Sequence, residues 1–187
     1  MVWLEIVAVA VTLLAVFLTA RQIIWCWPLG MVSVTLYAVI FFQAKLYADM
    51  GLQGLYFALA AYGWWAWLHG GKNHGELAVT RTSPAMVAVL AVVGAGAAVV
   101  LGQTLYRYTD ASLPFMDSAL TAFSIVAQWM QTRKKLEAWL VWLAVDIFYV
   151  GMFLYKDLTL TAGLYAIFLF LAVMGFVEWR RSMRETS

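Results

Sequence analysis

The chain has 187 residues, of which 65% are hydrophobic and 12% charged, and its formal net charge is +2. This composition excludes a water-soluble domain, in which about 25% of residues are charged. The single cysteine, Cys26, excludes an internal disulfide and a multi-cysteine metal site. Residues 87–100 are apolar without alternation. The sequence therefore predicts an all-α membrane protein and not a β-barrel, whose strands alternate.

Seven apolar stretches predict seven transmembrane helices, because about 20 apolar residues cross a bilayer as a helix. The N-terminus lacks the basic region of a cleavable signal peptide, so the first stretch is expected to remain as a span. Ser83 and Pro84 form a typical helix start, with the serine as N-cap. In chain order the predicted spans are Val2–Ala20, Ile23–Gln43, Gly51–Leu68, Pro84–Leu101, Leu113–Met130, Ala138–Tyr155 and Leu158–Trp179.

The basic residues are concentrated on one side of these spans. Nine of the 12 Lys and Arg residues lie after spans 1, 3 and 5 or in the C-terminal tail, and only Lys45, Arg107 and Lys156 lie on the other side. Cytoplasmic loops of membrane proteins are rich in Lys and Arg. We therefore expect the N-terminus outside the cell and the C-terminus in the cytoplasm.

The sequence contains an internal repeat. Glu5, Arg21 and Trp27 recur 112 positions later as Asp117, Arg133 and Trp139. Two further matches have offsets of 108 and 109, which predicts that loops changed length between the two copies. These matches join Leu46-Tyr47-Ala48-Asp49 to Leu154-Tyr155-Lys156-Asp157, and Gly54-Leu55-Tyr56 to Gly163-Leu164-Tyr165.

The repeat predicts a 3+1+3 arrangement of helices in a single membrane domain, residues 1–187. Two three-helix units joined directly would be inverted relative to each other, and one extra crossing makes them parallel. We expect a first bundle at 1–70, a linking helix at 84–106 that does not touch substrate, and a second bundle at 111–180. Repeated bundles around a polar site are typical of membrane transporters.

Asp146, inside the sixth span, is the first candidate for a substrate-binding residue. A charged side chain in the bilayer usually marks a substrate or ion path, and a structural hydrogen bond to a neighbouring helix is the alternative. Trp139, Trp142 and Tyr149 share its helix face at spacings of three and four residues. Such a stripe suits a flat cationic ring, although Trp and Tyr also gather at membrane interfaces.

Gln128 and Trp129, near the end of the fifth span, are the next candidates, because a buried amide seeks a ligand or a partner helix. Gln53 is expected to be structural. Catalytic triads, phosphate-binding loops and metal-ligand clusters are not apparent in the sequence, so we expect neither an enzyme nor a cofactor. Further candidates for substrate binding are Trp64, Trp65 and Tyr37.

Motifs in both halves resemble the PnuC family of vitamin transporters, and the resemblance covers nearly the whole chain. The chain differs at Ala138, where many relatives have an asparagine; if that asparagine contacts the ligand, this chain lacks the contact. The matching segments are Trp27-Pro-Leu-Gly, Gly54-Leu-Tyr56 and Tyr62-Gly-Trp-Trp65 in the first half, and Gln128-Trp129, Arg133-Lys-Lys135 and the W-x-x-W pair Trp139 and Trp142 in the second.

The resemblance implies uptake of nicotinamide riboside, a precursor for NAD biosynthesis, across the bacterial inner membrane by facilitated diffusion. It also implies an architecture related to SWEET sugar transporters, with the W-x-x-W pair and Gln128 at the substrate. Relatives carry thiamine or riboflavin, so both stay open as substrates. The expected partners are a small vitamin with a flat, cationic ring, membrane lipid and a homo-oligomer, with no nucleic acid. A seven-helix receptor is the alternative from another class of protein.

Overall fold

The computed structural model describes residues 2–43, 47–109, 113–155, 157 and 159–185. Within these residues the chain forms seven α-helices and one short 3-10 turn, Lys72–His74, so the predicted all-α fold is confirmed. The helices are α1 (Val2–Ala20), α2 (Cys26–Gln43), α3 (Tyr47–His69), α4 (Pro84–Tyr108), α5 (Pro114–Thr132), α6 (Ala138–Tyr155) and α7 (Thr159–Glu185). Leu158, the predicted start of the last span, and the loop lysines Lys45 and Lys156 lie outside the described residues.

Several helices extend past their predicted apolar stretches. α3 begins at Tyr47, before the predicted Gly51, and α7 continues to Glu185, because helical hydrogen bonding does not stop where hydropathy falls. α2 begins later than predicted, at Cys26, because Gln22 has a positive φ of 57° and turns the chain first. Ser83 caps α4 as predicted, and its Oγ accepts the Met86 N–H at 3.3 Å.

Five of the seven helices in the described chain are long and apolar enough to cross a membrane by themselves, namely α1, α2, α4, α6 and α7. α3 and α5 have sufficient length, with 23 and 19 residues, but polar residues recur along them. For example, α5 carries Asp117, Ser124 and Gln128. A helix with such a face needs neighbours that shield it from lipid.

The helix bounds follow the internal repeat at a constant offset. Adding 112 to the ends of α1 and α2 gives the ends of α5 and α6, and α3 and α7 also begin 112 residues apart. The expected drift of the offset is therefore wrong. The matches at 108 and 109 pair different helix positions, since Tyr47 begins α3 whereas Tyr155 ends α6.

We refer to α1–α3 as the first half and to α5–α7 as the second half. Neighbouring helices pack in order within each half, and the main contacts between the halves are α1 with α7 and α3 with α5. α4 packs on α5, where Gly94 and Gly102 face the rings of Phe123 and Phe115. Small residues allow this close approach of two helices.

One end of the bundle contains a cluster of four tryptophans. We call it the basic end, because α1, α3, α5 and α7 terminate there beside the basic segments. Trp27 packs edge-on to Trp67 at 5.3 Å between ring centroids, and Trp139 packs in the same way on Trp179 at 5.4 Å. All four indoles are at most 4% exposed. We call these residues the tryptophan cluster.

Glycines opposite the tryptophan rings repeat at the same offset. A side chain on Gly63 would collide with the Trp27 ring, and one on Gly175 would collide with the Trp139 ring. The Trp27 ring therefore lies directly against the backbone of α3, and the Trp139 ring lies directly against the backbone of α7. The same packing is built twice, because both the tryptophan and its glycine are repeated.

The segment between α3 and α4 is fastened to the loop between α5 and α6. Thr80 forms an isolated parallel bridge with Lys135, and the Glu137 carboxylate accepts both the Thr82 N–H and hydroxyl at 2.8 Å. Lys134 lies over the Trp67 ring at 4.4 Å. Burial lowers the pKa of the Lys134 ammonium, and the Glu76 carboxylate opposes this shift. We call the contacts of Thr80 and Thr82 with this loop the loop clamp.

Candidate functional site

A cavity of about 660 Å³ lies between the two halves. Every described helix except α4 contributes to its wall, which agrees with the expectation that the linking helix does not touch substrate. A volume of this size is typical of small-molecule sites, at about 300–1,000 Å³.

The second-half wall of the cavity contains the stripe expected on α6. Trp139, Trp142, Asp146 and Tyr149 all line the cavity, and Gln128 joins them from α5. The spacing of three and four residues brings these α6 side chains to one side of the helix. Asp146 is only 4% exposed, so its carboxyl group is largely shielded from bulk water.

Three predicted candidates lie elsewhere. Trp129 follows Gln128 in sequence, and one helical step of about 100° turns it away from the cavity to pack on the cluster of Val126, Met130 and Ala138. Trp64 and Trp65 are 40% and 56% exposed and do not line the cavity. Their exposure fits an aromatic belt at the membrane interface.

Ala138, the position at which the chain was expected to differ from its relatives, is fully buried and is absent from the cavity wall. It packs with Val126 and Met130. In this chain, position 138 therefore contributes to helix packing and makes no contact with the cavity.

The first-half wall includes the predicted candidate Tyr37 and further polar residues that were not predicted to bind substrate. Tyr37 lines the cavity, as do Thr12, Ser33 and Gln53, the last of which was expected to be structural. The Thr12 hydroxyl donates to the Ala8 carbonyl oxygen at 2.7 Å and lies 2.5 Å from Ser33 Oγ. Because the Thr12 hydroxyl hydrogen is already used in the bond to Ala8, the Ser33 hydroxyl donates to Thr12 Oγ1. The Ser33 oxygen can still accept a hydrogen bond.

The repeat itself would have located part of this first-half wall. Tyr37 lies 112 positions before Tyr149, and Phe41 lies the same distance before Phe153. Both pairs line the cavity and stack within their own half, at 6.0 Å between centroids for Tyr37 and Phe41 and 5.7 Å for Tyr149 and Phe153. In the second half, Tyr165 adds a further ring 4.7 Å from Tyr149.

The ionisable side chains of the cavity wall are acidic. Asp49, Asp117 and Asp146 line it, and none of the described lining residues is Lys, Arg or His. A wall of low polarity strengthens the attraction of these carboxylates for a cation. The aromatic faces of Trp142 and Tyr149 add to this attraction.

The cavity extends along most of the bundle. Asp49 and Phe41 line it near the end opposite the basic end, where α3 begins and α2 ends. At the basic end its wall reaches Trp27 and Trp139, and Trp67 and Trp179 lie beyond the lining. The tryptophan cluster therefore closes the cavity at the basic end.

A bundle of apolar helices around a cavity lined by aromatic and acidic residues defines a multi-pass membrane protein that binds a small molecule, as transporters do. Residues 2–181 match the family model described as nicotinamide mononucleotide transporter. The chain belongs to this family, to which the PnuC transporters it resembles in sequence also belong.

Relatives in three organisms show how far the similarity extends. The nicotinamide riboside transporter PnuC of Escherichia coli K12 is 30% identical over 209 residues, which cover 98% of this chain and 87% of that protein. The riboflavin/roseoflavin transporter RibM of Streptomyces davaonensis is 29% identical, over 99% of this chain and 88% of that protein. PnuC of Neisseria mucosa is 27% identical, over 99% of this chain and 74% of that protein.

A solved structure shows the same fold. The crystal structure of the vitamin B3 transporter PnuC matches with a TM-score of 0.77 at 24% sequence identity, covering 99% of this chain and 83% of that one. These relatives and the structural neighbour are transporters and not enzymes. The chain is therefore a membrane transporter of the PnuC family.

Proposed function

We propose that this transporter takes up nicotinamide riboside by facilitated diffusion. The observation that carries the proposal is the pairing of three cavity carboxylates with an aromatic stripe, in a wall whose described residues include no base. Nicotinamide riboside has a flat pyridinium ring with a positive charge. Trp142 and Asp146 suit this ring by stacking and charge, and Gln128 offers an amide to the carboxamide or the ribose hydroxyls.

The same charge pattern favours the riboside over its phosphorylated form. A phosphate carries about 1.5 to 2 negative charges at pH 7 and is usually bound by Arg, Lys or backbone N–H groups. The described cavity wall offers carboxylates in their place. We therefore infer that nicotinamide mononucleotide is bound far more weakly, although it gives the matching family its name.

Riboflavin is the second candidate substrate, because the riboflavin/roseoflavin transporter RibM is nearly as similar to this chain as the PnuC relatives are. Riboflavin is neutral and larger, so it would gain nothing from an ionised Asp146. Thiamine is the third candidate, since its ring is also cationic. The relatives' names support the riboside, and the cavity charge supports a cation.

We infer that transport proceeds by alternating access between the two halves, in a parallel 3+1+3 arrangement linked by α4. The position of the cavity between the halves and the constant offset of 112 support this mechanism. The concentration of Arg and Lys at the basic end supports a cytoplasmic C-terminus and an outward-facing N-terminus in the bacterial inner membrane. We infer uniport, since the described cavity wall provides no Lys or His that would extend a proton path from its carboxyl groups.

Counterflow in proteoliposomes tests the substrate and the mechanism. We expect internal nicotinamide riboside to drive uptake of labelled riboside, with weaker competition by thiamine and little by riboflavin or the mononucleotide. Counterflow with riboflavin alone would favour the second candidate. Binding of the riboside without any flux would indicate a receptor.

A second measurement tests uniport. Initial rates of riboside uptake are compared with the proton gradient intact and collapsed. Unchanged initial rates are expected for facilitated diffusion, even if accumulation falls. A collapse of the initial rate itself would show proton coupling and contradict uniport.

A further inference from the structure

The tryptophan cluster contains a reciprocal pair of hydrogen bonds between the halves. Trp67 Nε1–H, on α3, donates to the Gln131 carbonyl oxygen on α5 at 3.0 Å. Trp179 Nε1–H, on α7, donates to the Thr19 carbonyl oxygen on α1, also at 3.0 Å. Donors and acceptors are related by the same offset of 112, so each half donates one bond to the other and accepts one in return.

The two acceptor carbonyls lie in helix-ending turns of the same shape. The Thr19 carbonyl also accepts Gln22 N–H, and the Gln131 carbonyl accepts Lys134 N–H, both at 3.0 Å. Gln22 and Lys134 share a positive φ, at 57° and 46°. Each carbonyl therefore keeps a partner when the indole leaves, so separating the halves does not leave a buried carbonyl without a hydrogen bond.

The two donor rings also touch each other across the boundary between the halves. The centroids of Trp67 and Trp179 are 5.8 Å apart, with the ring planes at 64°. These rings pack against Trp27 and Trp139, which line the cavity, and do not line it themselves. A substrate that leaves the cavity between the two halves at the basic end would pass Trp67 and Trp179.

We propose that Trp67 and Trp179 form the closed gate at the basic end, and that their two bonds to Gln131 and Thr19 are the contacts broken when the cavity opens there. This inference rests on the proposed transport by alternating access. The other two indoles of the tryptophan cluster, Trp27 and Trp139, have no hydrogen-bond partner for Nε1 within the described structure. Trp27 and Trp139 therefore form no hydrogen bond between the halves, and within the tryptophan cluster these bonds come from Trp67 and Trp179.

The two hydrogen bonds of the gate are neutral, so each can break reversibly. A neutral hydrogen bond stabilises a fold by only about 1 kcal/mol net, which corresponds to a factor of about five in an equilibrium. Water can solvate the freed indole N–H groups once the halves part. Removing one bond should therefore shift the population toward the state open at the basic end about fivefold.

The only cysteine of the chain is a native reporter of this gate. Cys26 packs in the tryptophan cluster, is 3% exposed and lines the cavity. Its alkylation by a membrane-impermeant maleimide is measured in membrane vesicles of both orientations, so that the reagent reaches either the basic end or the opposite end. No substrate is added, so the result does not depend on which vitamin is transported.

The test variants are Trp67→Phe and Trp179→Phe, which keep an aromatic ring and remove the N–H donor. We expect alkylation of Cys26 to rise about fivefold from the basic end and to fall from the opposite end, with similar changes in both variants. Trp3→Phe is the control, since Trp3 is 81% exposed and remote from the tryptophan cluster.

Two outcomes would overturn the gate. Unchanged alkylation in both variants would show that these bonds do not hold the basic end closed. A rise from both sides together would show that the smaller ring only loosens local packing. If the variants do not fold, wild-type protein provides the measurement in vesicles in which counterflow of a vitamin has itself been recorded, because turnover should speed alkylation from the basic end. Equal rates with and without this recorded turnover would contradict the proposal.

Discussion

In the first half the cavity wall carries Val16, Gly30 and Val34, and 112 positions later the second half carries Gln128, Trp142 and Asp146. The tryptophans that pack against glycines do not differ between the two halves in this way. Trp27 and Trp139 keep the same ring and the same glycine contact in both halves. The comparison shows that the repeat preserves this packing within each half, while these three positions of the cavity wall have diverged.

The two loops that follow α1 and α5 differ in a similar way. Both are five residues long, 21–25 and 133–137. The first is connected to the opposite half by an exposed ion pair between Arg21 and Glu178 at 3.3 Å. The second is fixed by the loop clamp, in which Glu137 takes two hydrogen bonds from Thr82. The second half is therefore more tightly held as well as more polar.

The largest expected effect comes from removing the charge that only the second half has at this position. Asp146→Asn should weaken binding of nicotinamide riboside by about 30-fold, because a desolvated cation loses its partner. The reduced riboside, which is uncharged, is the control ligand and should lose much less affinity. Quenching of tryptophan fluorescence measures both, and equal losses would contradict a role for the charge.

Trp142→Ala tests the aromatic surface that the first half lacks at Gly30. Loss of one stacking ring should weaken riboside binding about tenfold, as for other flat heterocycles stacked on aromatic side chains. Trp25→Ala is the matched control, because Trp25 is 64% exposed. Isothermal titration of purified protein measures both, and a similar loss in the two variants would mean that Trp142 does not contact the ligand.

Gln128→Val gives the second half the residue that the first half has at Val16. Loss of one neutral hydrogen bond should lower affinity about fivefold. The charged and the reduced riboside should be affected alike, since the amide carries no charge. Competition against labelled riboside measures the two ratios, and a loss confined to the charged ligand would place Gln128 near the ring charge instead of the hydroxyls.

The smallest effect concerns the two loops. Glu137→Gln should lower the free energy of unfolding by about 1 kcal/mol, because two charge-assisted hydrogen bonds become weaker. Glu178→Gln should cost less, since its ion pair with Arg21 is exposed to solvent. Reversible unfolding in detergent compares the two, and an equal cost would remove the difference between the loops.

The sequence was sufficient to predict the helix count and the α6 stripe for definable reasons. The thickness of the bilayer sets the length of an apolar helix, and a spacing of three or four residues within one helix fixes a common face. Thr12 and Ser33 could not be predicted in this way, because isolated small polar residues have no periodicity that shows which helices face each other.

The contacts of the tryptophan cluster were beyond prediction for another reason. Trp67 and its acceptor at Gln131 are separated by 64 positions, and nothing local to either helix indicates the partner. The 3-10 turn and the loop clamp also depend on contacts between distant segments. Trp64, Trp65 and Trp129 were singled out by residue type alone, and helical phase directs them away from the cavity.

The segment between α3 and α4 is hydrogen-bonded to both halves of the molecule. Leu77 N–H donates to the Trp67 carbonyl oxygen at 3.0 Å on the first-half side, and Thr80 N–H donates to the Lys134 carbonyl oxygen at 3.1 Å on the second-half side. Only Ala78 and Val79 lie between these two hydrogen-bonded residues. Val79 packs in the tryptophan cluster. The stretch between these two attachment points is thus two residues long, and if the halves rotate as proposed, its backbone torsions have to change while both bonds hold.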